Sequence, residues 1–241
     1  MTPFIAEFIG TAIVILLGGG VVANVVLKHT KGNNGGWIVI TTAWALAVFI
    51  GVTIASPVSG AHLNCAVTFA NYILGTIDLS TTLSYILAQL MGAMTGSFFV
   101  WLMYKDHFDQ TEDASAKQAV FCTAPAIRNY PINFASEAIG TFVLLFTILH
   151  FKDATLDSTT PIGLGSLGAL PVAFLVWGIG LSLGGTTGYA INPARDIGSR
   201  VVHALLPIRN KAPFDIKYAL VPVLGPLTGA AIAALLYMFL N

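Results

Sequence analysis

Two asparagines carry the chemistry legible in this chain. Asn64 stands in Ser59-Gly60-Ala61-His62-Leu63-Asn64-Cys65-Ala66. Asn192 stands 128 residues later in Thr187-Gly188-Tyr189-Ala190-Ile191-Asn192-Pro193-Ala194. Both follow a Gly-led irregular stretch inside otherwise apolar sequence, and both precede x-Ala. Asparagine is a strong helix N-cap, and Pro193 suits the first helical position. Each copy therefore reads as a loop that opens a short helix with a carboxamide at its mouth. The carboxamide oxygen can hold the helix while its N–H groups are offered to a passing hydroxyl or water. An ordinary N-cap is the alternative for any one such residue; duplication inside apolar sequence favours a solute pathway built on pseudo-symmetry.

The elements that must position these residues follow from composition. The chain has 241 residues, 56% hydrophobic and only 9% charged, where a soluble domain carries about a quarter charged residues. It reads as an integral membrane protein. The zero net charge gives no sign of a nucleic-acid or acidic partner. Two cysteines, Cys65 and Cys122, suggest neither a disulfide framework nor a metal site. Glu7 interrupts a first apolar run that is long enough to span, which argues against a cleaved signal peptide. Apolar stretches near 3–27, 37–58, 81–104, 132–151, 167–187 and 217–240 are long enough, or nearly so, to cross about 30 Å of hydrocarbon. Two shorter segments, about 64–75 and 192–204, follow the Asn-x-Ala motifs and read as re-entrant half-helices. Irregular backbone at that depth is tolerated only where it is buried or lines a cavity.

The repeat extends beyond the motifs. Glu7-Phe8-Ile9-Gly10-Thr11 matches Glu137-Ala138-Ile139-Gly140-Thr141, and Gly92-Ala93-Met94-Thr95-Gly96 matches Gly225-Pro226-Leu227-Thr228-Gly229. The halves, about 1–104 and 132–241, are joined by a polar loop, 105–131. Each half has three spans, an odd number, so the second enters the membrane inverted and its half-helix meets the first from the opposite side. Glycines four apart allow close helix approach. Such pairs are common in membrane bundles, and their recurrence at matched positions is what distinguishes them. The connections after spans one, three and five hold nearly all the Lys and Arg, which by the positive-inside rule alone puts the termini outside.

These residues resemble a known family: the major intrinsic proteins, or aquaporins, in their glycerol-facilitator branch. The resemblance covers essentially the whole chain and rests on Ala6-Glu7-Phe8-Ile9-Gly10-Thr11, the Ser59–Asn64 stretch and Gly188-Tyr189-Ala190-Ile191-Asn192-Pro193-Ala194-Arg195-Asp196. It implies an all-α membrane protein of six transmembrane helices plus two half-helices meeting at mid-membrane, assembled as a homotetramer with cytoplasmic termini. That orientation opposes the charge count. The first motif departs from the family's usual Asn-Pro-Ala by carrying Cys65, which cannot fix φ and restores an N–H. That N–H falls among first-turn donors that lack partners anyway, so a slightly softer helix start and a thiol close to the pore are expected.

By the same resemblance, Trp44, Gly180, Tyr189 and Arg195 form a narrow filter. Water-selective members usually place histidine where this chain has Gly180, so glycine is expected to leave room and the aromatics to form an apolar corner. Tyr189 replaces the more usual phenylalanine, and its hydroxyl is expected to narrow or wet the opening. A lone arginine in a membrane is costly and needs a cavity or partners; Arg195 can bind a hydroxyl and repel cations, and Asp196 reads as an ion-pair partner. Gly60, Ala61, His62 and Leu63, with Gly188, Tyr189, Ala190 and Ile191, are expected to present a row of backbone carbonyls. His62 reads as holding its loop in preference to touching solute. Glu7 and Glu137 read as acceptors for loop N–H groups, with proton coupling as the alternative.

The expected function is passive flow of glycerol, other small uncharged solutes and water, excluding ions and protons. The alternative is an ion-coupled secondary transporter, which also uses inverted repeats and broken helices. Enzymatic activity is not expected, since a phosphate-binding loop, a metal-spaced cluster and a convincing nucleophile–base pair are all missing. The reading needs no cofactor or metal. Membrane lipid surrounds the chain, and a bacterial inner membrane is the expected location. Cys65 is expected to make flow sensitive to mercurials.

Overall fold

The structure is a computed structural model that describes residues 1–152, 154–156, 160 and 162–241. Among the described residues, six helices are long and apolar enough to cross a membrane. In the first half these are α1 (Pro3–Val26), α2 (Trp37–Ser59) and α4 (Leu79–Gln110), with the short α3 (Cys65–Ile73) between the last two. The connecting segment holds α5 (Ala114–Ala119). The second half comprises α6 (Tyr130–Leu149), α7 (Leu170–Leu183, preceded by a 3-10 turn at Gly165–Ala169), the short α8 (Pro193–Leu205), a single turn α9 (Ile216–Ala219) and α10 (Val221–Leu240).

Local chemistry sets the starts. Thr2 caps α1 with Pro3 in its first turn, Asp78 caps α4 through the Thr81 N–H, and Asn129 caps α6. Hydroxyl and carboxylate side chains there satisfy donors that no helical carbonyl can reach.

The repeat is visible as one contact made twice. α1 packs on α4, and α6 packs on α10. A methyl group on Gly92 or Gly96 would run into the Phe8 or Ala12 carbonyl of α1; on Gly225 it would lie 2.7 Å from Glu137 Cβ, and on Gly229 it would run into the Ala138 carbonyl. The matched glycines are thus the places where paired backbones touch. The half-helices cross over between halves: α3 packs on α10, α8 packs on α4, and α3 touches α8. Each stub is held largely by the half that did not supply it.

Three boundaries differ from expectation. α4 continues six residues past the expected end at 104, because Lys105, Asp106 and His107 can extend a helix into water as well as end a hydrophobic run. The segment 105–131 is therefore not a simple loop: it contains the end of α4, α5, and a buried stretch, Val120–Thr123. The fifth span stops at Leu183, ahead of Gly184-Gly185, and the sixth is interrupted at Leu220, just before Pro222. At the far end of α8 the Lys211 ammonium donates to the carbonyls of His203 (2.9 Å), Ala204 (2.5 Å) and Leu206 (2.7 Å).

Candidate functional site

The two motifs meet tip to tip. Asn64 Oδ1 accepts from the Ala66 N–H at 2.8 Å, and Asn192 Oδ1 accepts from the Ala194 and Arg195 N–H groups at 3.1 and 3.3 Å. Each amide also reaches across: Asn64 Nδ2 donates to the Ile191 carbonyl at 2.8 Å, and Asn192 Nδ2 donates to the Leu63 carbonyl at 2.8 Å. One N–H of each asparagine is therefore spent on locking the opposite loop, a role the sequence did not disclose. The second N–H of each is the donor left over, and both side chains line one cavity.

That cavity is about 400 Å³. It runs past Ser56 and Asn71, along Gly60, Ala61, His62 and Leu63, past Asn64 and Asn192, along Ala190 and Ile191, and on to Trp44, Tyr189 and Arg195; Val14, Val52, Leu144 and Val176 form an apolar wall. Of the residues expected along the pathway, Gly188, Gly180, Cys65, Ala66, Pro193 and Ala194 do not line it. Gly188 sits instead beside Thr123. Ala66 and Ala194 are fully buried, and Pro193 is buried in the first turn of α8.

The loops that lead to the two asparagines share an unusual backbone. Gly60, Ala61 and Leu63, and Gly188, Tyr189 and Ile191, all have positive φ, between 37° and 82°. This region is uncommon for L-residues and a true outlier for β-branched Ile191. Something must hold it, and the two buried glutamates do. Glu7 Oε1 accepts from the His62 N–H (2.9 Å) and Ser59 Oγ (2.6 Å), and Oε2 accepts from the Leu63 N–H (2.7 Å). Glu137 accepts from the Ala190 N–H at 3.0 Å and the Ile191 N–H at 2.9 Å, with the Thr187 side chain as a further partner. Successive N–H groups drawn to a carboxylate fix the peptide planes of these loops, and the Leu63 and Ile191 carbonyls accept from the opposite asparagines.

The sequence reading missed Gln89, whose Nε2 ties Glu7 (2.8 Å) to Thr68 (2.9 Å). His62 Nδ1 lies 3.1 Å from the same Thr68 hydroxyl, and its ring meets Tyr85 edge-on at 5.1 Å. It does hold its loop, yet it also borders the cavity.

Where the cavity meets Trp44 and Arg195, the Arg195 guanidinium lies over the Trp44 ring, 4.8 Å from its centroid. The space a side chain on Gly180 would take is already filled: an added methyl would lie 2.9 Å from Tyr189 Cζ and 3.0 Å from its oxygen. Glycine was expected to leave room for solute. It leaves room for tyrosine, because a ring that long reaches across to the backbone of α7. Trp37, which the sequence did not single out, packs edge-on against Tyr189 at 5.8 Å and donates its indole N–H to the Gly180 carbonyl at 3.0 Å.

Asp196 was read as an ion-pair partner, and its main partner is Arg200, not Arg195. Arg200 Nε donates to Asp196 Oδ1 at 2.8 Å, whereas Arg195 stays at 3.9 Å. Asp196 Oδ2 also accepts from the Thr123 N–H and hydroxyl, each at 2.7 Å, and Arg200 donates to the Thr123 carbonyl at 2.9 Å. This buried clamp explains why Val120–Thr123 folds inward. The signal was present in sequence as an acid and a base four apart. The Cys65 thiol is buried where the two half-helices abut and does not reach the lumen surface, so it is less accessible than expected.

The match to the major intrinsic protein family model covers residues 1–237. The chain belongs to that family. It is 50% identical over 240 residues to a Thermotoga maritima protein named as a probable glycerol uptake facilitator, covering 100% of both chains. It is 42% identical to a D/L-lactic acid transporter of Lactiplantibacillus plantarum, covering 95% of this chain and 94% of that one. The aquaglyceroporin of Plasmodium falciparum superposes with a TM-score of 0.82 at 32% identity, over 97% of this chain and 93% of the other. This major intrinsic protein has the aquaporin fold: six spanning helices and two half-helices.

Proposed function

We propose that this major intrinsic protein is a passive, bidirectional channel for glycerol, other small uncharged solutes and water. The observation that carries the reading is the pair of reciprocal 2.8 Å hydrogen bonds that join two asparagine-tipped half-helices beside one cavity. Leftover amide donors and a row of carbonyls on one side, with apolar side chains on the other, suit a molecule with a hydroxylated edge and a CH edge. Trp44, Tyr189 and Arg195 act as the filter in this reading, with Gly180 seating the end of the Tyr189 ring. The α3 and α8 N-termini each direct about half a positive elementary charge inward. With Arg195, they raise a barrier to cations, including a migrating proton.

An ion-coupled transporter needs Glu7 or Glu137 to exchange protons during transport, but each carboxylate is engaged by several donors that define its loop. The proposal includes a homotetramer with cytoplasmic termini in a bacterial inner membrane; the bacterial relatives support that location. Liposomes containing the protein should take up glycerol faster than empty ones with no added proton current. Unchanged glycerol entry with folded protein would refute the channel.

A further inference from the structure

The Thr68 hydroxyl stands at a junction of three contacts: Gln89 Nε2 at 2.9 Å, the Asn64 carbonyl at 3.2 Å and His62 Nδ1 at 3.1 Å. A hydroxyl has one proton to give and two lone pairs to accept with. Gln89 is a donor here, because the same nitrogen donates to the Glu7 carboxylate at 2.8 Å, and turning the amide over would set oxygen against oxygen. The Asn64 carbonyl can only accept. All three contacts are hydrogen bonds in a single arrangement: Thr68 gives its proton to Asn64 and accepts from both Gln89 and His62. Nδ1 of His62 therefore carries a proton.

The other ring nitrogen is left for the lumen. His62 is half-buried and lines the cavity, and its Nε2 has no partner among the described residues and is not one of their sealed polar atoms. Thr68 holds one edge of the ring, and Tyr85 meets it edge-on at 5.1 Å. With Nδ1 protonated, neutral imidazole keeps a lone pair on Nε2. The two cavity-lining asparagines have only N–H groups to spare, because their oxygens cap the helices. The second half has Ala190 at the position matching His62, so this side-chain acceptor occurs once.

We propose that His62 Nε2 accepts a hydrogen bond from the passing polyol, and that Thr68 and Gln89 are positioning residues that fix its lone pair for that contact. A hydroxyl in mid-passage gives its proton to Nε2 while its oxygen accepts from an asparagine. Protonating the ring breaks no bond at Thr68, since Nδ1 already donates there. It turns Nε2 into a donor, and the polyol O–H loses its acceptor. Of the elements around the ring, α1 brings the Glu7 carboxylate, which accepts from the His62 N–H at 2.9 Å, and α4 brings the Tyr85 phenol. α3 brings the Cys65 thiol and no charge, and Arg195 of α8 lines the same cavity.

The inference rests on the channel reading, and its test separates the two. Nitrogen-15 spectra of histidine-labelled protein in lipid vesicles report which ring nitrogen is protonated, and His62→Gln identifies the His62 signal among the five histidines. At about pH 8 the wild type should show a protonated Nδ1 and a bare Nε2. Thr68→Val removes the acceptor and should release that preference, and Thr68→Ser should restore it. Glycerol entry, read by light scattering in the same vesicles, should fall about two- to tenfold between about pH 8 and pH 4, the worth of one hydrogen bond. His62→Gln, which does not titrate, should show no such fall. If that variant fails to fold, the wild-type spectrum and its response to Thr68→Val still decide the matter. A protonated Nε2 at the higher pH, or the same pH profile in wild type and His62→Gln, overturns the contact alone. Wild-type protein that conducts no glycerol at either pH overturns the channel reading and the contact with it.

Discussion

The two half-helices share one hydrogen-bonding plan and differ in the charge they carry. On both sides a buried glutamate gathers two successive loop N–H groups, an asparagine caps its own helix, and the same amide bonds the opposite loop. Beyond the asparagine the likeness ends. α3 continues with Val67, Thr68 and Tyr72, while α8 has Arg195, Asp196 and Arg200 at the matched positions. The backbone task, bringing two helix ends together, needs both copies. In the proposed channel the selecting charge is needed once, and a second buried arginine would add several kcal/mol of insertion cost for no new contact.

The clamp beneath α8 is the sharpest way to break the comparison. Asp196→Ala leaves Arg200 buried without its partner and should destabilise the protein by about 3–5 kcal/mol. Thr68→Val at the matched position of α3 should cost only about 1–2 kcal/mol. Thermal unfolding in detergent measures both, and equal losses would mean that the halves bear load alike.

Gly180→His places an imidazole where the Tyr189 ring end now sits. Glycerol flux in liposomes should fall at least about tenfold, the scale set by a 1.4 kcal/mol barrier, and water flux should fall less. Equal losses would remove Gly180 from the filter.

Cys65→Pro makes the first motif match the second. Proline is tolerated in the first turn of a helix, so stability should rise by about 0.4–1 kcal/mol with glycerol flux unchanged. Because the thiol is buried between the stubs, mercurial block at Cys65 should be slow, and Cys65→Ser should abolish whatever block develops. Fast inhibition that survives Cys65→Ser would place the reactive sulfur elsewhere.

The smallest effect lies outside the membrane. Arg128 pairs with Asp215 at 2.6 Å. Partial burial pushes the Asp215 carboxyl up, but the Arg128 guanidinium and the Tyr218 N–H outweigh it and hold it below the usual carboxylate range. A depressed folded-state pKa stabilises above the unfolded value of about 3.9, and that contribution fades as pH falls through the lower folded value. With half of the Arg128 side chain exposed, the pair is worth less than about 1 kcal/mol and weakens in salt. Unfolding midpoints of Asp215→Asn and wild type should separate slightly at pH 7 and draw together as the pH falls below the usual carboxylate range.

Much of this architecture was legible in the chain because it is written in local, repeated signals. The apolar runs give the spans, Asn-x-Ala gives the stubs, and Glu7 with Glu137 betrays a buried acceptor on each side. What was hidden depends on partners distant in sequence. Nothing near Asn64 says that one of its N–H groups is spent on Ile191, and nothing near Gly180 says that Tyr189 fills its space. The boundary at 104 was misplaced for another reason: hydropathy detects where hydrocarbon ends, and a helix has no need to end there.

Lys211 makes the two stubs unequal as electrical objects. Its ammonium sits on three carbonyls at the outer end of α8 and quenches that negative pole, whereas the last turn of α3 has no basic residue. An ion drifting toward the protein therefore meets a neutralised pole at one face and a bare one at the other. The repulsion at the waist is two-sided, but the approach to it is not, so the channel is polarised end to end even while its cargo carries no charge.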